Sequence, residues 1–286
     1  MAETRNWEVR RKDSMKKLEV IVLGMNQHKY TGECLMSLDR AVRTCDMEGI
    51  EIGVTVVDNA SKKPIKKALG GYKLEYFDIN HIRNEKILLF AKAMNQGMMN
   101  IGDEHICLLN NDTIVSPNFL RCHYEIINMG IDLTGPLTNH CAGIQNMGDK
   151  ILDPELRLNE DDHIDLKIQK VLNLENHFAI QPGGIVERTQ WCNGFCLFIS
   201  NKCFRTVGFL NDEEFPLSGE EIDYGYKAYD AGMSVAVNKQ SFVWHWKQVT
   251  CKQFPGSYQS YWKESAAKLC KIYPDRFPQQ SVPCKK

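Results

Sequence analysis

Three acidic stretches and one histidine are the residues of this chain best suited to chemistry. The first stretch is Asn110-Asn111-Asp112, which ends the apolar run Ile106-Cys107-Leu108-Leu109 and precedes a turn at Ser116-Pro117. A run of that kind reads as a strand buried on both faces. Ligands of open α/β sheets sit outside the carboxyl ends of the strands, where a carboxylate can hold a hard divalent cation that also binds phosphate oxygens. Asp and Asn before Pro117-Asn118-Phe119-Leu120 suit a helix cap equally well, so these residues alone leave both readings open. The second stretch, Glu220-Glu221-Ile222-Asp223, opens a helical period after Ser218-Gly219. A carboxylate there can take the proton of an attacking hydroxyl. Ser218-x-x-Glu221 is also a capping box, and acids in a first turn complement the helix dipole. The third stretch is Asp58-Asn59 at a strand end, where the acid can accept hydrogen bonds from a base or ribose, or simply start a turn. His245 lies between Trp244 and Trp246, as a packed core histidine or as a ligand.

The elements that must position these groups follow from apolar periodicity. Leu18 to Asn26 is a short strand ending in Gly24 and Asn26, Thr31 to Cys45 has a helical period, and Gly53 to Val57 is a second buried strand. Leu74 to Phe77 reads as a strand, Ile87 to Met99 as a helix, and Ile106 to Leu109 as the strand that carries Asp112. Alternating strands and helices with short connections imply an α/β fold with a parallel sheet and helices on both faces. Further on, a short strand is expected at Asp132–Pro136. The stretch 138–190 is rich in Asn, Asp and Gly, with one helix near Leu166–Leu174. So long an irregular stretch in a domain is usually functional, as a lid or acceptor loop. Strands are then expected at Trp191–Ile199, Ser234–Val237 and Phe242–Trp244, and helices at Asn201–Val207, from Ser218 to about Ala231, and at Tyr258–Ile272.

Composition narrows the function classes. The chain has 286 residues, 43% hydrophobic and 25% charged, as expected of a globular protein with one large or two small domains. A net charge of -1 gives no global attraction to nucleic acid or an anionic membrane, so a nucleic-acid acceptor has no support. No apolar run approaches the roughly 18 residues of a membrane helix. Met1 to Lys17 is charged, without the apolar segment of a signal peptide, and reads as a flexible arm. Eleven cysteines, an odd number without a CxxC pair, several of them inside apolar runs, fit reduced buried thiols of a cytoplasmic protein.

Five segments in order carry a resemblance. They are Val56-Val57-Asp58-Asn59-Ala60-Ser61, Ala91-Lys92-Ala93-Met94-Asn95-Gln96-Gly97, Leu108-Leu109-Asn110-Asn111-Asp112-Thr113, Gly219-Glu220-Glu221-Ile222-Asp223 and Val243-Trp244-His245-Trp246. From Leu18 to about Val249 the chain resembles a family 2 inverting glycosyltransferase of the GT-A fold, rhamnosyltransferase-like. The resemblance implies a single Rossmann-like, mostly parallel sheet flanked by helices, with an acceptor-side loop region. Its domains would be an arm over 1–17, a GT-A domain over 18–250, and a C-terminal helix and tail over 251–286 packed on that domain. It further implies transfer of a sugar from a nucleoside-diphosphate sugar, UDP- or dTDP-linked, to a hydroxyl of a glycan or other acceptor. Asp112 and His245 would hold Mn²⁺ or Mg²⁺, although Asn110 replaces the first acid of the family's metal motif. Glu221 would be the general base, where the family more often has Asp, and Glu220 the alternative. Donor contacts would come from Gly24, Asn26, Asp58, Asn59, Asn95, Asn111, Asn193 and Gly194. Asp223 and the flat faces of Trp191, Trp244 and Trp246 would serve the acceptor side, although core filling suits the tryptophans too. A lipid-linked acceptor would be met at the cytosolic face of a membrane. A non-catalytic binding module on the same fold is an alternative, and a nucleotidyltransferase is another. The latter needs a Gly-rich basic phosphate loop, which Met25-Asn26-Gln27-His28-Lys29 is not.

Overall fold

Alternate residues of the first strand face opposite sides, and both sides are covered. In β1 (Lys17–Gly24), Leu18, Val20 and Val22 pack with Cys34, Leu35, Leu38 and Ala41 of helix α1 (His28–Met47). Ile21 and Leu23 point the other way, onto Ala91, Ala93, Met94 and Met98 of helix α3 (Phe90–Met98). This is the two-sided burial that an apolar run without polar alternation demands. The computed structural model describes residues 17–179, 184–246, 254 and 256–277. Residues 1–16 of the expected arm and the tail beyond 277 lie outside the described residues, whereas Lys17 already opens β1.

Strand β2 (Glu51–Asp58) and strand β4 (His105–Asn110) flank β1 in parallel, and β3 (Ile79–Arg83) adds to the outer side of β2. Short helix α2 (Ile65–Ala68) lies between β2 and β3. The register pairs Gly24 with Asp58 and Leu23 with Asn110, so three of the segments singled out by sequence end at one edge of the sheet. The chain continues through β5 (Thr113–Val115), α4 (Phe119–Asn128), β6 (Leu133–Thr138), α5 (Ile164–Ala179), β7 (Val186–Arg188), β8 (Cys196–Ile199), α6 (Asn201–Val207), α7 (Glu220–Asp230), β9 (Val235–His245) and α8 (Tyr258–Ile272). The sheet order is β3-β2-β1-β4-β8-β6-β9-β5, with β7 also on β9. Strands β1, β2, β3, β4, β6 and β9 run one way and β5, β7 and β8 the other, so the sheet is mostly parallel, as expected.

Three strand expectations need correcting. Leu74–Phe77 is not a strand; the third strand is β3, further along. The N–H groups of Glu75 and Tyr76 donate at 2.9 Å each to Oδ1 of Asp39 on α1, which ties this segment to the helix rather than to a ladder. Ser234–Val237 and Phe242–Trp244 form one strand, β9, in which the polar residues Lys239 to Ser241 make a bulge between the pairs Pro136–Asn238 and Leu137–Phe242. Trp191–Ile199 is a strand only from Cys196, and residues 191–195 form a loop instead. The described cysteines are free, and seven of the nine are buried, in keeping with small apolar side chains in a core.

Asp39 is 1% exposed and receives two backbone N–H groups. Asp39→Ala leaves both donors without their charged acceptor, so we expect a loss of about 2–3 kcal/mol in urea unfolding with the folded architecture kept.

Candidate active site

At the carboxyl edge of the sheet lies a cavity of about 490 Å³, walled by residues from the ends of β4 and β9, the start of α7, the loop before β8 and helix α8. Asp112 reaches it because the chain reverses after β4 and re-enters the sheet as β5, antiparallel to β9. Thr113 then pairs with His245, and the N–H of Trp246 donates to the Asp112 carbonyl at 2.9 Å. The side chains follow: His245 Nε2 lies 3.3 Å from Asp112 Oδ1, and the imidazole stacks on Phe195. Asn139 grips the backbone of His245 from the far side. Its Oδ1 accepts the His245 N–H at 2.7 Å and its Nδ2 donates to the His245 carbonyl at 3.1 Å.

One carboxylate oxygen and one imidazole nitrogen at this separation fit a shared divalent cation. Neighbouring ligands on an octahedral ion with bonds of about 2.1 Å stand about 3 Å apart. Among the described residues no group of three or more His, Cys, Asp or Glu could hold a metal ion.

The opposite wall carries Glu220 and Glu221. Gly219, at φ +85°, precedes α7, and a side chain there would press on Phe215, Leu269 and Ser265. The capping box expected from Ser218 does not form, because the N-cap is Gly219 and Ser218 Oγ donates to Ser265 Oγ. Glu221 turns one oxygen back to accept the Gly219 N–H at 3.1 Å. Glu220 is 5% exposed, and its Oε2 has no hydrogen-bond partner among the described residues. Burial and the neighbouring Glu221 push the Glu220 carboxyl well above the usual carboxylate range. Burial raises Glu221 as well, with backbone N–H groups and the Glu220 side chain partly offsetting it. Of the two acids, Glu220 is thus the one pushed further toward its protonated form. Gly194 lets the 191–195 loop lie against both acids, since a Cβ there would stand 3.3 Å from Glu221 Cβ and 3.4 Å from Glu220 Oε1.

The structure gathers Asn111, Asp112, His245, Glu220, Glu221, Asn193, Gly194 and Trp191 around the cavity. Other expected site residues do not line it. Asp58 accepts from Ser61 N, Ile65 N and Arg83, which organise the turn after β2. Burial works to raise its carboxyl, and these bonds outweigh that and hold it below the ordinary value. Asn59 bonds the Leu88 backbone through both ends of its amide, as Asn95 does Leu210. Gly24 leaves room for Ile65, and Asn26, at φ 58°, accepts from Lys62 N. Asp223 accepts from Tyr273 and pairs with Lys227, fastening α7 to the segment after α8. Trp244 is buried, and Trp246 packs edge-on against it and against Tyr30. Asn139, Gln145, Tyr258 and Trp262 were not singled out by sequence. The first two sit in the irregular 138–190 stretch whose length pointed to function, and the last two in the helix expected at Tyr258–Ile272.

Residues 19–140 match the family model described as Glycosyl transferase family 2. No curated protein matches the chain by sequence. Among solved structures, it is similar to GalNAc-T7 crystallised with UDP, GalNAc and Mn²⁺, with a TM-score of 0.58 and 15% identity over 93% of this chain and 49% of that one. It is also similar to S. aureus TarS 1–349, with a TM-score of 0.54 and 14% identity over 94% of this chain and 75% of that one. The same TarS fragment in complex with UDP-GlcNAc matches with a TM-score of 0.53 and 14% identity, over 89% of this chain and 66% of that one. The chain therefore spans about half the length of GalNAc-T7 and three quarters of the TarS fragment. Residues 19–140 thus carry a match to glycosyl transferase family 2, and the chain is built on the GT-A fold of these structures.

Proposed function

We propose that this chain transfers a sugar from a nucleoside-diphosphate sugar to an acceptor hydroxyl, with inversion at the anomeric carbon. One observation carries the reading: a single cavity holds the Asp112–His245 pair on one wall and the Glu220–Glu221 pair on another, with Gly194 against the acids. A bound Mn²⁺ or Mg²⁺ would supply Lewis-acid neutralisation of the leaving diphosphate. Uridine is the favoured base, since GalNAc-T7 was crystallised with UDP and the TarS fragment with UDP-GlcNAc; dTDP is the next choice.

Glu221 serves as general base. The acceptor oxygen bonds to the anomeric carbon, the bond from that carbon to the diphosphate oxygen breaks, and the hydroxyl proton passes to the Glu221 carboxylate. A single displacement from the face opposite the leaving group inverts the centre. Glu220, pushed further toward its protonated form by burial and by Glu221, is the poorer candidate for the role. Its part is to hold Glu221 in place through the hydrogen bond between the two carboxyls. A base whose pKa is lifted toward neutrality takes up a proton more strongly, so the acid limb of turnover should lie above the usual carboxylate range. Trp191, Tyr258 and Trp262 line the same cavity and offer aromatic surface to the acceptor. The acceptor class we favour is a glycan hydroxyl. No helix among the described residues is long and apolar enough to cross a membrane. We place the chain in the cytoplasm, where a lipid-linked glycan would be met at the membrane face.

Three outcomes test this reading. Glu221→Gln should lower single-turnover transfer by about 10²- to 10⁴-fold while UDP affinity stays within twofold; transfer within tenfold of wild type would remove Glu221 as base. UDP with Mn²⁺ at about 100 times its dissociation constant should stabilise the wild-type chain by roughly 2.7 kcal/mol. In Asp112→Asn the Mn²⁺-dependent part of that thermal shift should vanish, and its persistence would place the cation elsewhere. The third outcome concerns the raised Glu220 carboxyl. A carboxyl raised in the folded state contributes fully at low pH and destabilises as pH climbs from its unfolded value of 4.5 toward the folded one. Glu220→Gln should therefore gain stability over wild type as pH rises from 5 to 8, and an unchanged difference across that range would argue against a raised Glu220 carboxyl.

A further inference from the structure

The 191–195 loop holds a side chain whose chemical sense is decided by groups that cannot change theirs. Gln145 is 1% exposed, seated in space left by Gly135 of β6, where a Cβ would come within 2.8 Å of its Nε2. Its Nε2 donates to the Pro136 carbonyl at 2.8 Å, and its Oε1 accepts the Asn193 backbone N–H at 2.7 Å. A carbonyl only accepts and a backbone N–H only donates, so the Gln145 amide has one orientation. That orientation fixes the next one. Asn193 Nδ2 donates to Gln145 Oε1 at 2.9 Å and to the Ala142 carbonyl at 2.8 Å. Both of its N–H groups are thereby engaged, and Oδ1 is the polar atom that this half-buried side chain retains for a ligand in the cavity it lines. An amide that ordinarily both donates and accepts has become an acceptor alone.

We propose that Gln145 is a positioning residue that locks Asn193 as a hydrogen-bond acceptor for a hydroxyl of the transferred sugar, and that this pair sets donor-sugar specificity. The inference rests on the glycosyl-transfer reading, which puts the sugar beside Gly194, between the acids of α7 and the Asp112–His245 pair. An acceptor-only contact favours a sugar carrying a donor hydroxyl at that position. A deoxy sugar, or one bearing an ether there, leaves Asn193 Oδ1 without its partner.

Two measurements test the proposal in the full chain. The first needs no ligand: the Asn193 side-chain amide, assigned in ¹⁵N spectra by its loss in Asn193→Asp, should exchange slowly with solvent in wild type and rapidly in Gln145→Leu. The second is calorimetric titration, with Mn²⁺, of UDP, dTDP, UDP-glucose, UDP-galactose, UDP-N-acetylglucosamine and dTDP-glucose. Wild type should bind at least one sugar nucleotide roughly two- to tenfold more tightly than its free diphosphate, the worth of one neutral hydrogen bond. Gln145→Leu should erase that advantage and leave affinity for the diphosphate within twofold. Gln145→Glu keeps an acceptor oxygen toward Asn193 and should restore the advantage. Rapid exchange in wild type overturns the locked orientation, and an unchanged advantage in Gln145→Leu overturns the specificity role. A Glu variant as defective as the Leu variant also overturns it, because the loop path and not the acceptor oxygen would then decide. Slow exchange with no affinity for any of the six probes removes the glycosyl-transfer reading, and the specificity role with it.

Discussion

Backbone pairing between the three-residue strand β5 and the end of β9 is the constraint on which the site depends. It aligns Thr113 with His245, and through that register it sets Asp112 against an imidazole from the far end of the chain. Two supports keep this short ladder in place: the Trp246 N–H on the Asp112 carbonyl, and the Asn139 amide, which bonds both backbone groups of His245. A one-residue slip would turn every side chain of β5 to the other face and separate Asp112 from His245. The Asp112–His245 pair is thus a property of strand register more than of either residue.

The acids of α7 are placed by a different means. A left-handed Gly219 opens the helix, and Gly194 allows the neighbouring loop to lie against the carboxylates. Burial disfavours charge on both acids, and the neighbouring Glu221 adds to the effect on Glu220. The same burial that raises the carboxyls would strengthen every other electrostatic contact made by a ligand in the cavity. Burial that looks destabilising for the fold is therefore a working condition of the chemistry proposed for it.

The polar loop after β6 links the two walls. Asn139 at its start holds the His245 backbone, and Gln145 further on holds Asn193 beside Gly194 and the acids. Carboxamides suit this task because one side chain can satisfy both a backbone donor and a backbone acceptor. A segment without helical or strand period is thus ordered by side-chain to backbone bonds.

Much of this architecture was legible in the chain's own pattern. The apolar runs of β1, β2 and β4, each ending in Gly, Asp or Asn, announced a parallel sheet with polar groups at one edge, because burial on both faces leaves no room for polar alternation. Helices α6 and α8 matched their expected limits, and the acids of α7 stood at a helix start. Sequence alone could not separate the residues at that edge that face the cavity from those that hold it up. Asp58, Asn59, Asn95 and Asp223 have the same chemistry as the cavity residues, yet each is turned toward a backbone group or an ion-pair partner nearby. Nor could local pattern show that Asp39 would draw residues 74–77 out of a strand, or that Gln145 would orient Asn193. These are contacts between distant segments, decided only when the folded chain brings a donor to an acceptor. Propensity and periodicity report what a segment prefers, and tertiary structure decides which partner each polar group finds.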